Sequence, residues 1–246
     1  MKNKFWNWSK NEETGERVLR LDGVIHDWTW FDEILDDGEI NTPKEFREEL
    51  NSATGDIELY INSPGGNIFS AAEIYAMLKE YTGGKITVKI PSFAASAATI
   101  IAMAGDTIEV SPLAVLCIHN PFLDWVSGEE KDMKQAAVYL ADLKENIITA
   151  YELKTKLSRQ DISDLMDAET YMNAQKAVEL HFADKIMFEE NQQDEGITAE
   201  MYSNRQVLNS LANRLKKHFP KSEKKVTNNK VSALAYYRDL LERSKK

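Results

Sequence analysis

The sequence predicts an α/β fold built on a mainly parallel sheet, and three observations carry that reading. Strand-like and helix-like segments alternate along most of the chain. The run Leu113–Ile118 (LAVLCI) is apolar at every position, as a strand covered on both faces must be. The breaks between segments fall at Pro and Gly clusters such as Pro64-Gly65-Gly66 and Gly83-Gly84.

Taken in order, residues 1–16 are polar and charged around Trp6 and Trp8, and read as an N-terminal arm or an oligomer contact. Val18–Ile25 (VLRLDGVI) alternates apolar and polar residues, ends apolar, and reads as a strand. Thr42-Pro43-Lys44-Glu45 opens a helix, with Thr42 as N-cap and Glu45 as its capping-box partner; it runs through Phe46 and Leu50 and is over by Gly55. Asp56–Gly66 (DIELYINSPGG) is a strand running into a Pro-Gly-Gly turn. Asn67–Tyr81 then places Ile68, Ala72, Ile74, Met77 and Leu78 at helical spacing. Lys85–Ile90 reads as a strand, Pro91–Ser96 as a tight turn, Ala97–Gly105 as a short apolar helix and Thr107–Pro121 as two short strands. A long charged helix pattern follows from Glu129 to Leu157, with Ala136, Leu140, Leu143, Ile147, Ala150 and Leu153 forming one apolar stripe. Ile162–Phe188 gives two short helices and a last strand. Residues 17–188 are therefore expected to form one domain. Residues 189–246 are expected to add a linker and a basic helical extension: a polar stretch Glu189–Gly196, an amphipathic helix Thr198–Phe219, a disordered Lys221–Lys230 and a short helix Val231–Leu241.

Composition narrows the function. A chain of 246 residues that is 43% hydrophobic and 28% charged has enough apolar material for a substantial core. It holds no apolar run near the roughly 18–20 residues that a membrane helix needs, so no membrane is expected. The first residues carry no apolar h-region and no small-residue cleavage site, which reads as no secretory signal. Cys117, the single cysteine, cannot pair internally and reads as a buried small hydrophobe. A cytoplasmic location is expected. The net charge of −10 is uneven: residues 211–246 hold eleven basic and three acidic side chains, a tail of +8 on a body of −18. So acidic a body repels phosphate backbones, which argues against nucleic-acid binding by the main domain.

Three pieces stand out chemically. Asn62-Ser63-Pro64-Gly65-Gly66 joins a strand to a helix, and two glycines let backbone amides turn outward where they receive an oxyanion. Ser96 sits among alanines at the start of a buried helix, its hydroxyl accessible and the helix dipole favouring developing negative charge. His119 ends the apolar strand just before Asn120-Pro121, placed to point into a cleft. Each alone has a plainer reading, as an ordinary turn, an N-cap and a rim histidine. Together they supply nucleophile, base and oxyanion donors, the set that makes a serine reactive at neutral pH. No GxSxG elbow, GxGxxG, GxxxxGK[ST] or Cys/His cluster is present, so no cofactor and no metal are expected.

INSPGG, FAASAATIIAMAGD, LCIHNP and YMNAQKAVELHFADKI occur in an order and spacing that resemble the proteolytic subunit of the Clp protease, within the Clp/crotonase superfamily, from about Val18 to about Phe188. The resemblance implies repeated β-β-α units with a protruding handle helix at Glu129–Leu157. It implies Ser96 as nucleophile, His119 as general base, and the amides of Gly66 and Ala97 as the oxyanion hole, Gly65 shaping the turn. The spacing before Tyr171-Met172-Asn173-Ala174 is shorter than the family's, so the acid is assigned to Asp167, with Glu169 and Asp164 as alternatives. A homo-oligomeric ring, a heptamer or stacked heptamers, is implied, with the handle joining rings. The Trp-rich start, IHNP, MDAETYM and the basic extension look most like Clp-related phage head maturation (prohead) proteases. The substrates then implied are scaffold or capsid precursor, met in the host cytoplasm or inside proheads. Three other readings stay open: a host-type Clp peptidase fed by an ATPase unfoldase, an inactive ring-forming assembly protein, and a crotonase-type acyl-CoA enzyme.

Overall fold

A computed structural model describes residues 4–27 and 43–188. The expected cap at Thr42, Trp28 and Trp30, and every element expected in 189–246 lie outside the described residues.

Six strands form the larger sheet: β1 (Trp6–Lys10), β2 (Arg17–Asp22), β3 (Ile57–Asn62), β4 (Ile86–Ile90), β6 (Thr107–Val110) and β9 (Lys185–Ile186), in spatial order β1-β2-β3-β4-β6-β9. All neighbours are parallel except β1 and β2, which pair antiparallel in the register Trp6 to Leu21 and Lys10 to Arg17. Three further strands, β5 (Phe93–Ala95), β7 (Val115–Ile118) and β8 (Thr170–Asn173), form a second sheet in the order β5-β7-β8. The helices are α1 (Pro43–Leu50), α2 (Ile68–Glu80), α3 (Ala97–Ala102), α4 (Glu130–Thr155), α5 (Arg159–Asp167) and α6 (Ala174–Glu179). Among the described residues no helix is long and apolar enough to cross a membrane.

Local chemistry explains where the helices begin. Asn67 Oδ1 accepts from the amides of Phe69 and Ser70, Ser158 Oγ from Asp161, and Asn173 Oδ1 from Lys176, each satisfying an orphan donor of a first turn. At α4 the Asp132 carboxylate accepts from the Glu129 amide at 2.8 Å. Lys156 closes that helix in the left-handed conformation, φ 62°.

The central strands bury alternate residues completely, Leu59 and Ile61 on β3 and Val88 and Ile90 on β4, and Leu116, Cys117 and Ile118 of β7 are all buried. That apolar packing holds the two sheets and α3 together as one core.

Four expectations need correcting. The segment 1–16 is not merely an arm: Trp6–Lys10 adds an edge strand, and Trp6 is buried against Phe46, ring centroids 5.5 Å apart, with its Nε1–H on Glu49. Pro91–Ser96 is not only a turn, because Phe93–Ala95 pairs with Val115–Cys117. Thr170–Asn173 is a strand lying antiparallel to β7 rather than part of a helix. The buried stripe of α4 is Ile147, Ile148, Tyr151 and Thr155, while Leu153 is 61% exposed.

Candidate active site

The site lies where the two sheets part. β3 belongs to the larger sheet as far as Asn62; one residue later Ser63 bridges to Ala94 of β5, its amide donating to Phe93 O and its carbonyl accepting from Ala95 N, both at 3.0 Å. The chain after β3 therefore runs beside the strand that leads to Ser96.

Ser63 is buried, and its Oγ accepts from Gly65 N at 3.0 Å, which folds the turn back on itself. Gly65 and Gly66 have φ of 97° and 145°. A Cβ on Gly65 would stand 2.7 Å from both Ala95 O and Ser96 Cβ, so only glycine lets this turn lie against the serine. Gly66 forms a parallel bridge with Ile25: Ile25 N donates to Gly65 O and Asn67 N donates to Ile25 O, each at 2.8 Å. In a parallel bridge the flanking residues make the bonds, so the amide of Gly66 itself turns away from Ile25.

Ser96 occupies the single residue between β5 and α3, at φ 55° and ψ −129°. A non-glycine residue in that region is strained, and the surroundings must fix it. Its amide donates to Cys117 O of β7 at 2.8 Å, and its carbonyl accepts from Thr99 N at 2.9 Å and Thr99 Oγ1 at 2.6 Å. The hydroxyl makes no capping bond to α3, so the plainer reading of Ser96 as an N-cap side chain does not describe it. Ala97 follows as the first helical residue, whose amide has no acceptor within its own helix.

His119 comes one residue after β7. Its Nδ1 lies 2.6 Å from Asn120 O, and its ring sits 5.8 Å from that of Phe122. A carbonyl oxygen only accepts, so Nδ1 carries the proton and Nε2 is left as the basic nitrogen. Ser96, Ala97, Gly66 and His119 line one cleft of about 480 Å³. Ile68, Phe69, Ile100, Leu143 and Ile147 give it an apolar wall.

Asp167 stands apart from this group. One oxygen, Oδ1, accepts from Lys144 Nζ at 2.6 Å and from Asn120 Nδ2 at 2.7 Å. Lys144 first, and Asn120 second, hold its carboxyl below the usual carboxylate range. No hydrogen bond joins it to the imidazole; the path from Asp167 to His119 runs through Asn120. Neither alternative bonds to the imidazole: Asp164 accepts from Gln160, and Glu169 from Tyr171. Sequence reasoning missed Asn120, Lys144, Thr99 and Tyr151. Only Tyr151 left a signal, its spacing of four from Ile147 on α4.

A strained serine between strand and helix thus shares one cleft with a histidine whose Nδ1 carries the proton and with Gly66 and Ala97. The chain belongs to the Clp protease family, whose model matches residues 47–190. Relatives include an ATP-dependent Clp protease proteolytic subunit of Porphyromonas gingivalis, 28% identical over 134 residues that cover 54% of this chain and 60% of that subunit. Proteolytic subunit 1 of Protochlamydia amoebophila is 29% identical over 58% of this chain and 71% of its own length. Proteolytic subunit 2 of Tropheryma whipplei is 27% identical over 65% and 90%.

Proposed function

We propose that this protein is a serine endopeptidase of the Clp type, working through an acyl-enzyme. The observation that carries the reading is the backbone of Ser96, held at φ 55° between β5 and α3 with its hydroxyl free of capping duty, in the same cleft as His119. Ser96 Oγ attacks the scissile carbonyl and passes its proton to His119 Nε2. The Gly66 and Ala97 amides receive the oxyanion; the amine then leaves with the proton from His119, and water repeats the sequence to free the acid. Asp167 is the acidic member, acting on His119 through Asn120. The apolar wall suits a peptide with an apolar side chain beside the cut. Assembly is as a homo-oligomeric ring.

The narrower reading is a phage head maturation protease cutting scaffold or capsid precursor. It is favoured by the Trp-rich start and the +8 extension, which lie outside the residues matched by the family model. The second reading, a peptidase fed by an ATPase unfoldase, is favoured by the relatives, whose names describe ATP-dependent proteases.

The test is intact mass after incubation with a serine-reactive fluorophosphonate, on wild type and Ser96→Ala, free and in assembled particles. One adduct on wild type and none on the variant supports the peptidase; no adduct in either state refutes it. Cleavage of capsid precursor without nucleotide then favours head maturation, and a nucleotide requirement favours the unfoldase-fed enzyme.

A further inference from the structure

The strained serine is braced by a buried polar pair to which the reaction above gives no role, one member of which, Tyr151, also borders the cleft. Thr99 on α3 and Tyr151 on α4 are both essentially inaccessible to solvent. Their hydroxyl oxygens are 2.7 Å apart, and Thr99 Oγ1 lies 2.6 Å from Ser96 O. The proton assignment follows from the acceptor at the end. The Ser96 carbonyl can only accept, so Thr99 donates to it and must in turn accept from Tyr151. Burial holds the Tyr151 phenol above its ordinary range, which keeps it a neutral donor. The Tyr151 ring is itself fixed edge-on to Phe182, centroids 5.2 Å apart.

We propose that Thr99 and Tyr151 are positioning residues, forming a relay Tyr151 OH → Thr99 Oγ1 → Ser96 C=O that locks the nucleophile's turn and ties it to the handle helix. The proposal rests on the serine-peptidase reading above. Ser96 at φ 55° and ψ −129° would relax toward ordinary backbone without restraints, turning its hydroxyl away from the cleft. Its amide is held by Cys117 O, and among the described residues its carbonyl is held by Thr99 alone, through amide and hydroxyl. Tyr151 makes the Thr99 hydroxyl the better donor by occupying its lone pair. It also fixes the rotamer that aims it. Because Tyr151 belongs to α4, whose first four turns stand largely exposed, the relay makes the nucleophile's geometry depend on where that helix sits.

The experiment uses the full chain and two readouts. The first is the rate constant and apparent affinity for Ser96 acylation by the fluorophosphonate, in Thr99→Val, Tyr151→Phe, Thr99→Ser and the Thr99→Val/Tyr151→Phe double variant. Ile148→Val, which trims a buried residue of the same helix outside the relay, reports what loss of stability alone does. Thr99→Val and Tyr151→Phe should each lower the acylation rate constant by about tenfold, the scale of one lost buried hydrogen bond, with affinity unchanged. Thr99→Ser should restore most of the rate, and the double variant should be no slower than the worse single one. Rates that follow melting temperature as Ile148→Val does would overturn the relay. The second readout is amide hydrogen exchange across Ala95–Ile100, which needs no activity. Faster exchange there in Tyr151→Phe than in Ile148→Val upholds the brace, and equal exchange overturns it. A wild type that never labels at Ser96 refutes the peptidase reading, and the exchange data still decide the brace.

Discussion

Replacing Gly66 by alanine isolates the oxyanion turn. A Cβ at this position would lie 2.2 Å from Ile25 O and 2.9 Å from Ile25 C, and the residue's φ of 145° is one that side chains rarely adopt. The obstacle is backbone, tied to the turn by the Ile25–Gly65 and Asn67–Ile25 bonds at 2.8 Å, so it cannot swing aside. Relief requires those two bonds to lengthen and the amide of residue 66 to rotate off the cleft. Backbone strain of about 1–3 kcal/mol and about 1 kcal/mol for each of the two weakened hydrogen bonds give a loss of roughly 3–5 kcal/mol. That lowers Tm by about 5–15 °C in a domain of this size. Displacing one oxyanion donor costs about 10²–10³ in rate. Gly55→Ala is the comparison, because Gly55 has φ 122° but nothing within 4 Å of an added Cβ, so it adds strain alone. The assay is the second-order rate constant for fluorophosphonate acylation of Ser96, measured below both melting transitions. A folded Gly66→Ala protein that labels within about tenfold of Gly55→Ala would refute the assignment of this amide to the oxyanion hole.

Three further outcomes are expected. Trp6→Ala should destabilise the domain by about 3–5 kcal/mol, since the indole is buried against Phe5 and Phe46. A change below about 1 kcal/mol in urea titration would show that β1 is not a packed strand. Asp167→Ala should slow acylation by about tenfold, as suits a group reaching His119 through Asn120; a loss near 10⁴ would instead require direct contact with the imidazole. The Asp167 carboxyl is held low by Lys144 and Asn120, so its stabilisation is present above the ordinary carboxylate range and disappears as pH falls through its lowered value. Urea midpoints measured at neutral and strongly acidic pH should therefore fall further for wild type than for Asp167→Asn, and equal falls would contradict the pairing.

What the sequence revealed depended on how many residues carried each signal. The fully apolar β7 and the helical spacing of α2 are legible because buried positions repeat over a whole element, although on α2 it is Ala71 that is buried and Ala72 that is exposed. β5 has three residues and β8 four, too few for a period of two to show. β1 hides because its inward face is only Trp6 and the half-buried Trp8, separated and followed by polar residues in a five-residue strand. At the site, Ser96 and His119 were visible because small neighbours and a strand end marked them out. Asp167 was reached through a family resemblance, and its tie to Lys144 joins residues 23 apart on different helices, which no local pattern records. Thr99 and Tyr151 read as core because they are core; their role lies in where two hydroxyls point.

The bonds that frame the cleft run from main chain to main chain, Ser96 to Cys117, Ser63 to Phe93 and Ala95, Ile25 to Gly65, with the Ser63 and Thr99 hydroxyls bracing the two turns. None of them uses the Ser96 hydroxyl. Stripping that one oxygen leaves the frame and the apolar wall in place, so on the proposed peptidase reading Ser96→Ala should act as a trap, engaging a polypeptide without cutting it. Whatever it retains from the cell is a record of what this protein meets there.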